Sequence, residues 1–295
     1  MHVVTKNSPK AWLLATRPKT LAAGSVPVLV ASSLAAHFGH FKLVPALLCL
    51  VFALLAQIAS NFSNDYFDYK KGTDDENRLG PARAVASGWI DPKNMLYGTL
   101  VVIALACAFG LGLIYFGGWL MILVGAVCVV SLVAYTAGPW PLAYHGLGDV
   151  FVLIFFGFVA VVFTFYLQAQ SFPVLAFVAG AVVGLGAVNI LFINNFRDRE
   201  TDKKSNKRTT IVLFGKGFGK WGYFFNGILA CLLCLFFIRE SIWAVLLPFL
   251  YLIPHIMTWK KMVSIDHGKE LNVLIGQTSR NLLILGLLLS IGLLL

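Results

Sequence analysis

The sequence predicts an all-α polytopic membrane protein, folded as a bundle of nine transmembrane helices. Of its 295 residues, 59% are hydrophobic and only 12% are charged, whereas a soluble domain carries about 25% charged residues. The apolar residues form continuous runs of about 17–25 residues, the length of a membrane-spanning helix. A transmembrane barrel would instead show alternating segments of about ten residues. Because the runs are spread evenly, we expect a single integral-membrane domain over residues 1–295.

Turn-forming and polar residues divide the chain into these helices. Glycines at 117 and 118 mark one tight turn, and residues 67–94 and 196–220 are two long polar connections. The predicted spans cover residues 20–36, 43–66, 95–116, 118–136, 148–168, 172–195, 221–238, 241–259 and 272–294.

The charged residues fall on one side of the predicted bundle. If the N-terminus is cytoplasmic, every one of the 23 Lys and Arg residues except Lys42 and Arg239 lies on the cytoplasmic side. This is the positive-inside pattern of membrane proteins. The acids follow the same side, with Glu240 alone on the other. The net charge of +10 is therefore largely topological. We expect a multi-pass protein of the cell (inner) membrane and no nucleic-acid partner.

Two similar acidic motifs lie at the cytoplasmic ends of the second and sixth spans. The first, NDYFD, contains Asn64, Asp65 and Asp68; the second is NNFRD at 194–198, with Asp202 one turn later. Both place an Asp four residues after an Asn, which suggests a weak internal repeat. Side chains three or four residues apart share a helix face. Each motif therefore predicts an oxygen-lined face, the kind of surface that a hard divalent cation prefers.

The basic residues around these motifs indicate a second ligand component. An acid carried into the apolar zone costs about 2.5–3.5 kcal/mol, which suggests a compensating ligand. A site for Mg²⁺ alone would not favour many cationic neighbours, but a site for Mg²⁺ with diphosphate would. We interpret the glycine-rich segment 215–219 as a loop. The cations that follow or flank the motifs are Lys70, Lys71, Arg78, Arg83, Arg197, Lys203, Lys204, Lys207 and Arg208.

Together these motifs resemble the UbiA superfamily of intramembrane aromatic prenyltransferases, and the resemblance covers nearly the whole chain. Five strings are similar to the branch that prenylates 1,4-dihydroxy-2-naphthoate in menaquinone synthesis. They are RPKT (17–20), NDYFDYKKGTD (64–74), RLGPARAVASG (78–88), YTAGPWPLAYHGLGD (135–149) and NNFRDRETDKKSNKRT (194–209).

The resemblance implies a nine-helix bundle with a lateral, lipid-facing cavity above a cytoplasmic metal site. It implies Mg²⁺-dependent transfer of a polyprenyl chain to the naphthoate ring, with loss of CO₂ and release of diphosphate. The substrates would be polyprenyl diphosphate and 1,4-dihydroxy-2-naphthoate, with no obligate protein partner. The family pattern places a third acid where this chain has Gly72, and Asp74 is taken as its replacement. The implied metal ligands are Asn64, Asp65, Asp68, Asp74, Asp198 and Asp202, and the implied diphosphate ligands are Arg78, Arg83, Lys207 and Arg208.

Two other functions fit parts of the sequence. A sister prenyltransferase that uses 4-hydroxybenzoate, homogentisate or haem would have the same metal site. A divalent-cation transporter could also carry paired acids on repeated helices. However, a transport path needs polar residues near the middle of its spans, whereas the acids and bases of this sequence crowd one face. Prenyl transfer is therefore the favoured function. Tyr66, Tyr69 and Phe192 are aromatic residues near the acids in sequence, and are candidates to stabilise a carbocation.

Overall fold

The computed structural model describes residues 4–72 and 78–295, and within these ranges the regular structure is entirely helical. The predicted all-α fold is confirmed. The α-helices are α1 (Pro9–Ala15), α2 (Ala22–His37), α3 (Leu43–Lys70), α4 (Pro92–Gly112), α5 (Ile114–Gly117), α6 (Leu120–Ala134), α7 (Gly148–Val152), α8 (Ala160–Ala169), α9 (Val174–Lys204), α10 (Thr210–Leu233), α11 (Ile242–Phe249), α12 (Leu252–Ile265) and α13 (Asn272–Leu294).

The helices of the described ranges are consistent with nine spans. Seven helical segments there are long and apolar enough to cross a membrane, and the bent pair Pro9–Thr20 and Ala22–His37 adds an eighth. The shorter apolar helix α6 lies where the fourth span was predicted. This protein is therefore a multi-pass membrane protein.

The largest difference from the predicted helices concerns the connection at 196–220. Helix α9 continues to Lys204, and α10 already begins at Thr210. The Thr209 hydroxyl caps α10 by accepting a hydrogen bond from the Val212 N–H at 3.3 Å. The prediction that residues 215–219 form a loop is wrong, because they lie within α10. That helix is kinked at Gly215, whose φ of 85° lies in the left-handed region that favours glycine.

Helix α9 is the most buried of the described spans, and glycines let a neighbouring span approach it closely. The fifth span contains a π-helical turn, Leu153–Val159, which packs on α9. A Cβ atom added to Gly157 would lie 2.5 Å from the Gly180 carbonyl oxygen. Small residues at such contacts allow membrane helices to pack backbone to backbone. This contact fixes the fifth span against the first half of α9, and α9 carries the second acidic motif toward its other end.

Contacts at the two ends of the bundle agree with the predicted alternation of spans. At one end, Thr136 donates to Asn64, and the Arg208 N–H donates to the Tyr144 carbonyl. At the opposite end, His37 meets Glu240 at 3.5 Å. The polar connections therefore gather at one end of the molecule.

A carboxylate clasp reinforces this polar end. Asp266 lies between α12 and α13 and contacts Lys216 at 2.5 Å, Lys220 at 3.0 Å and Arg199 at 3.6 Å. Although partial burial opposes it, the two lysines lower the pKa of Asp266 to about 2. The clasp joins the ends of α9, α10 and α12.

Candidate active site

Two cavities meet at the polar end of the bundle. One is polar, with a volume of about 540 Å³, and both acidic motifs line it. The other is apolar, with a volume of about 670 Å³, and it extends between α2, α3, α4, α6, the fifth span and α9. Six residues line both cavities and form their junction: Arg17, Thr20, Asn64, Tyr135, Leu191 and Asn194.

The first motif contributes Asn64 and Asp68 to the polar cavity. The Asp68 carboxylate accepts hydrogen bonds from Arg83 Nη2 at 3.3 Å and from the Tyr144 hydroxyl at 3.1 Å. Asp65 is 1% exposed and lines neither cavity of the described structure. Its carboxylate faces the loop that follows α3. Of the three predicted ligands at 64–68, the structure thus brings Asn64 and Asp68 to the cavity but not Asp65.

The second motif contributes Asn194, Asp198 and Asp202, all of which line the polar cavity. Arg197 forms a bidentate pair with Asp198, with Nε–Oδ1 and Nη2–Oδ2 distances of 2.7 and 2.5 Å. The Arg197 side chain is 1% exposed and that of Asp198 is 16% exposed, so the arginine is buried while the carboxylate faces the cavity. Asp202 contacts Lys207 through one carboxylate oxygen at 3.4 Å. Both motifs therefore face one cavity, as the internal repeat predicts.

Three of the four predicted diphosphate ligands also line this cavity: Arg78, Arg83 and Lys207. Burial acts to lower the pKa of Lys207, but the Asp202, Asp68 and Asp198 carboxylates outweigh it and leave the pKa raised. Lys207 therefore remains a cation. Arg208 differs, because its side chain is exposed and does not line the cavity.

A cover over the first motif was missed by the sequence reasoning. It is the connection 135–147, hereafter the cover loop, between the fourth and fifth spans. Thr136 Oγ1 donates to Asn64 Oδ1 at 3.0 Å, and Lys71 Nζ donates to the Thr136 carbonyl at 2.6 Å. The Tyr144 ring lies 4.7 Å below the Lys71 ammonium group. The string at 135–149 carries part of the family resemblance, but these contacts depend on how the loop folds back over α3.

The aromatic candidates chosen by sequence proximity do not face the cavities. Tyr66, Tyr69 and Phe192, all among the described residues, line neither one. This interpretation is wrong because neighbours in sequence on a helix point in different directions. Phe151, Phe155 and Tyr135 line the apolar cavity instead, the last at the junction.

The residues present fit a divalent cation that is shared with an anionic ligand. In residues 4–72 and 78–295, no group of three acidic, His or Cys side chains is close enough to hold an ion alone. Asp74 lies outside the described residues. Mg²⁺ is usually held by one or two carboxylates plus substrate phosphates and water. The second carboxylate oxygen of Asp202, Oδ2, is buried without a hydrogen-bond partner among the described residues, as expected for a group that awaits a ligand.

Comparison with known proteins identifies the family. Residues 25–290 match the UbiA prenyltransferase family. The chain is similar to the 1,4-dihydroxy-2-naphthoate octaprenyltransferase of Escherichia coli (strain K12), at 37% identity over 215 residues, covering 70% of this chain and 69% of that protein. The enzyme of the same name from Haemophilus influenzae is 36% identical over 219 residues, covering 70% of each chain.

A solved structure supports the same fold. The UbiA homologue from Archaeoglobus fulgidus bound to GPP and Mg²⁺ is similar with a TM-score of 0.64 and 17% identity, over 96% of this chain and 99% of that one. This chain belongs to the UbiA prenyltransferase family.

Proposed function

We propose that this protein transfers a polyprenyl chain from polyprenyl diphosphate to 1,4-dihydroxy-2-naphthoate, with loss of CO₂ and release of diphosphate, giving demethylmenaquinol. The observation that carries the proposal is the junction of a polar and an apolar cavity. Polyprenyl diphosphate has the same two parts, a multiply charged head and a long apolar chain. Its reactive carbon joins these parts, so it would lie at the junction.

The basic residues of the polar cavity would bind the diphosphate. Arg78, Arg83 and Lys207 line it, and guanidinium groups pair with phosphate oxygens through two parallel hydrogen bonds. The exposed Arg208 would contact this head only at the cavity mouth, and is the weakest of the proposed ligands. These cations would stabilise the charge that grows on the leaving group when the allylic carbon–oxygen bond breaks.

The oxygen ligands would hold a magnesium ion. Asn64, Asp68, Asp198 and Asp202 line the cavity from both motifs. When bound, Mg²⁺ would neutralise charge on the diphosphate and so lower the barrier to its departure. The A. fulgidus homologue was solved with Mg²⁺, which supports this assignment.

Aromatic side chains at the junction would stabilise the allylic cation. Tyr135 lines both cavities, and Phe151 and Phe155 line the apolar one with their rings stacked at 5.3 Å. The face of an aromatic ring attracts a cation most strongly where water is excluded. The naphthoate ring would meet the cation here, in front of the departing diphosphate.

The acceptor assignment has separate support. The relatives in E. coli and H. influenzae are both named for 1,4-dihydroxy-2-naphthoate, and five sequence strings carry the same resemblance. We also propose that the polar end of the bundle faces the cytoplasm of a bacterial cell, because the basic residues concentrate there.

A panel of acceptors tests the proposal. The purified protein is given Mg²⁺, one polyprenyl diphosphate and equal amounts of 1,4-dihydroxy-2-naphthoate, 4-hydroxybenzoate and homogentisate, and the products are identified by mass. We expect the decarboxylated naphthoate product to dominate, and the Asp202→Asn variant to make none. A product from another acceptor instead would contradict the naphthoate assignment while leaving prenyl transfer intact.

A further inference from the structure

Asp65 is a buried carboxylate that lies beside the active site without lining it. It is 1% exposed and occupies the second-last turn of α3, three residues before Asp68. Residues three apart on a helix differ by about 60° in direction. That rotation turns Asp68 toward the polar cavity and Asp65 toward the loop after α3. A buried carboxylate needs hydrogen-bond donors, so its partners indicate its role.

Both oxygens of Asp65 accept hydrogen bonds from one turn of that loop. The Ala84 N–H donates to Oδ2 and the Val85 N–H donates to Oδ1, each at 3.0 Å. Within the turn, the Arg83 carbonyl accepts from Ser87 at 2.9 Å. The first N–H groups of such a turn resemble those at a helix start, which find no acceptor within the turn itself. Asp65 supplies that acceptor from another helix.

The turn held in this way carries Arg83 into the polar cavity. Arg83 directly precedes the two anchored residues, is 9% exposed and contacts Asp68 at 3.3 Å. The anchored backbone is itself buried, with Ala84 at 2% and Val85 at 4% exposure, packed in a cluster with residues of α1 and α3. Packing of the Ala84 and Val85 side chains holds the turn against α1 and α3. The two hydrogen bonds to Asp65 fix the orientation of its backbone.

We propose that Asp65 is a positioning residue that holds the Arg83 turn, and that it is not a ligand of the metal. The residues of the motif NDYFD would then have different roles. Asn64 and Asp68 face the cavity, while Asp65 acts through the backbone of residues 84 and 85. The kinetic part of this proposal rests on the proposed function, but the structural part does not.

Hydrogen–deuterium exchange tests the structural part without any substrate. The probe is the peptide spanning residues 82–90, compared among the wild type, Asp65→Asn and Asp65→Ala. Asparagine keeps one acceptor oxygen and alanine none, so exchange should rise in the order wild type, Asn, Ala. Asp68→Asn is the matched control, because Asp68 binds side chains of Arg83 and Tyr144 and should leave this peptide protected. Exchange in α13 peptides checks that each variant remains folded.

Steady-state kinetics separate positioning from metal binding. We expect Asp65→Asn to raise KM for the polyprenyl diphosphate about tenfold, the effect of losing a charge-assisted hydrogen bond, with the half-saturating Mg²⁺ concentration unchanged. Asp68→Asn should raise the Mg²⁺ requirement. In a double-mutant cycle, Asp65→Asn should add little to Arg83→Ala, since both act on the same side chain.

Two results would overturn the proposal. One is an increased Mg²⁺ requirement in Asp65→Asn with unchanged exchange in the 82–90 peptide. The other is full additivity of the Asp65 and Arg83 changes, together with unchanged exchange. If the wild type showed no prenyl transfer, the proposed function would fail, and the exchange experiment would still decide whether Asp65 anchors the turn.

Discussion

The ion pair between the buried Arg197 and Asp198 predicts that two aspartates of one motif differ in their contribution to stability. Arg197 is 1% exposed and binds both oxygens of Asp198, at 2.7 and 2.5 Å. It also donates to Asn272 at 2.8 Å. Asp198→Asn removes the counter-charge and places an amide against an N–H donor. Leaving a buried charge without its partner costs about 3–5 kcal/mol. The oxygen that Asn retains and the 16% exposure of the Asp198 side chain place this change near about 3 kcal/mol.

Asp202→Asn is the matched control for this prediction. Its single ion pair, with Lys207, is long at 3.4 Å, and its other oxygen is buried without a partner among the described residues. Because this buried carboxylate is only partly satisfied, the neutral amide removes a desolvation cost together with the long ion pair, so we expect the change to cost less than about 1 kcal/mol. Both variants should lose turnover, because both carboxylates line the polar cavity.

Thermal unfolding in detergent separates the two variants. At about 2 °C or more per kcal/mol, Asp198→Asn should lower Tm by roughly 6 °C, and Asp202→Asn by about 2 °C or less. Activity is measured well below both transitions, so that lost turnover is not lost folding. Equal Tm values for the two variants would refute the argument that Arg197 depends on Asp198.

Three further predictions concern the cover loop, the helix contact and the clasp. Tyr144→Phe keeps the ring but loses the hydrogen bond to Asp68, worth about 1 kcal/mol, so kcat/KM should fall about fivefold; no change would exclude a role for the hydroxyl. Gly157→Ala forces a Cβ against Gly180 and should cost about 1–3 kcal/mol, seen as a lower Tm; a wild-type Tm would show that the helices can separate freely. Asp266 has a depressed pKa, so its stabilisation is present above pH ~4 and lost as the pH falls toward 2. In Asp266→Asn, the free energy of unfolding should therefore depend less on pH between about 2 and 4 than in the wild type. An unchanged pH dependence would exclude the clasp.

Much of the fold follows from the sequence because a bilayer imposes simple rules. The apolar runs and one-sided charges place the helices, since spanning segments must be helical and basic residues stay on one side. The acids of α3 and α9 could be placed in one site because the motif recurs four spans later, and an even number of membrane crossings returns it to the same side. These inferences need only the pattern of residues along the chain and the alternation of successive spans across the membrane.

The details that remained hidden depend on contacts between distant segments. The i,i+3 spacing placed Asp65 and Asp68 on one face, but a 60° difference decides which carboxylate reaches the cavity. Tyr144 and Asn272 reach the site from a loop and from the start of α13, 76 and 75 residues from their partners Asp68 and Arg197. No periodicity in the sequence encodes such pairings. The segment 215–219 was wrongly predicted as a loop because glycine is common both in loops and at helix kinks, and sequence alone does not distinguish the two.

The most direct test of decarboxylating prenyl transfer is the stoichiometry of its two released products. Purified protein is supplied with Mg²⁺, a polyprenyl diphosphate and 1,4-dihydroxy-2-naphthoate labelled in its carboxylate, and diphosphate and labelled CO₂ are followed together. We predict equal amounts of both, no release after EDTA treatment, and recovery when Mg²⁺ is restored. Diphosphate release without CO₂, or release of both that persists in EDTA, would contradict the proposed reaction and its metal site.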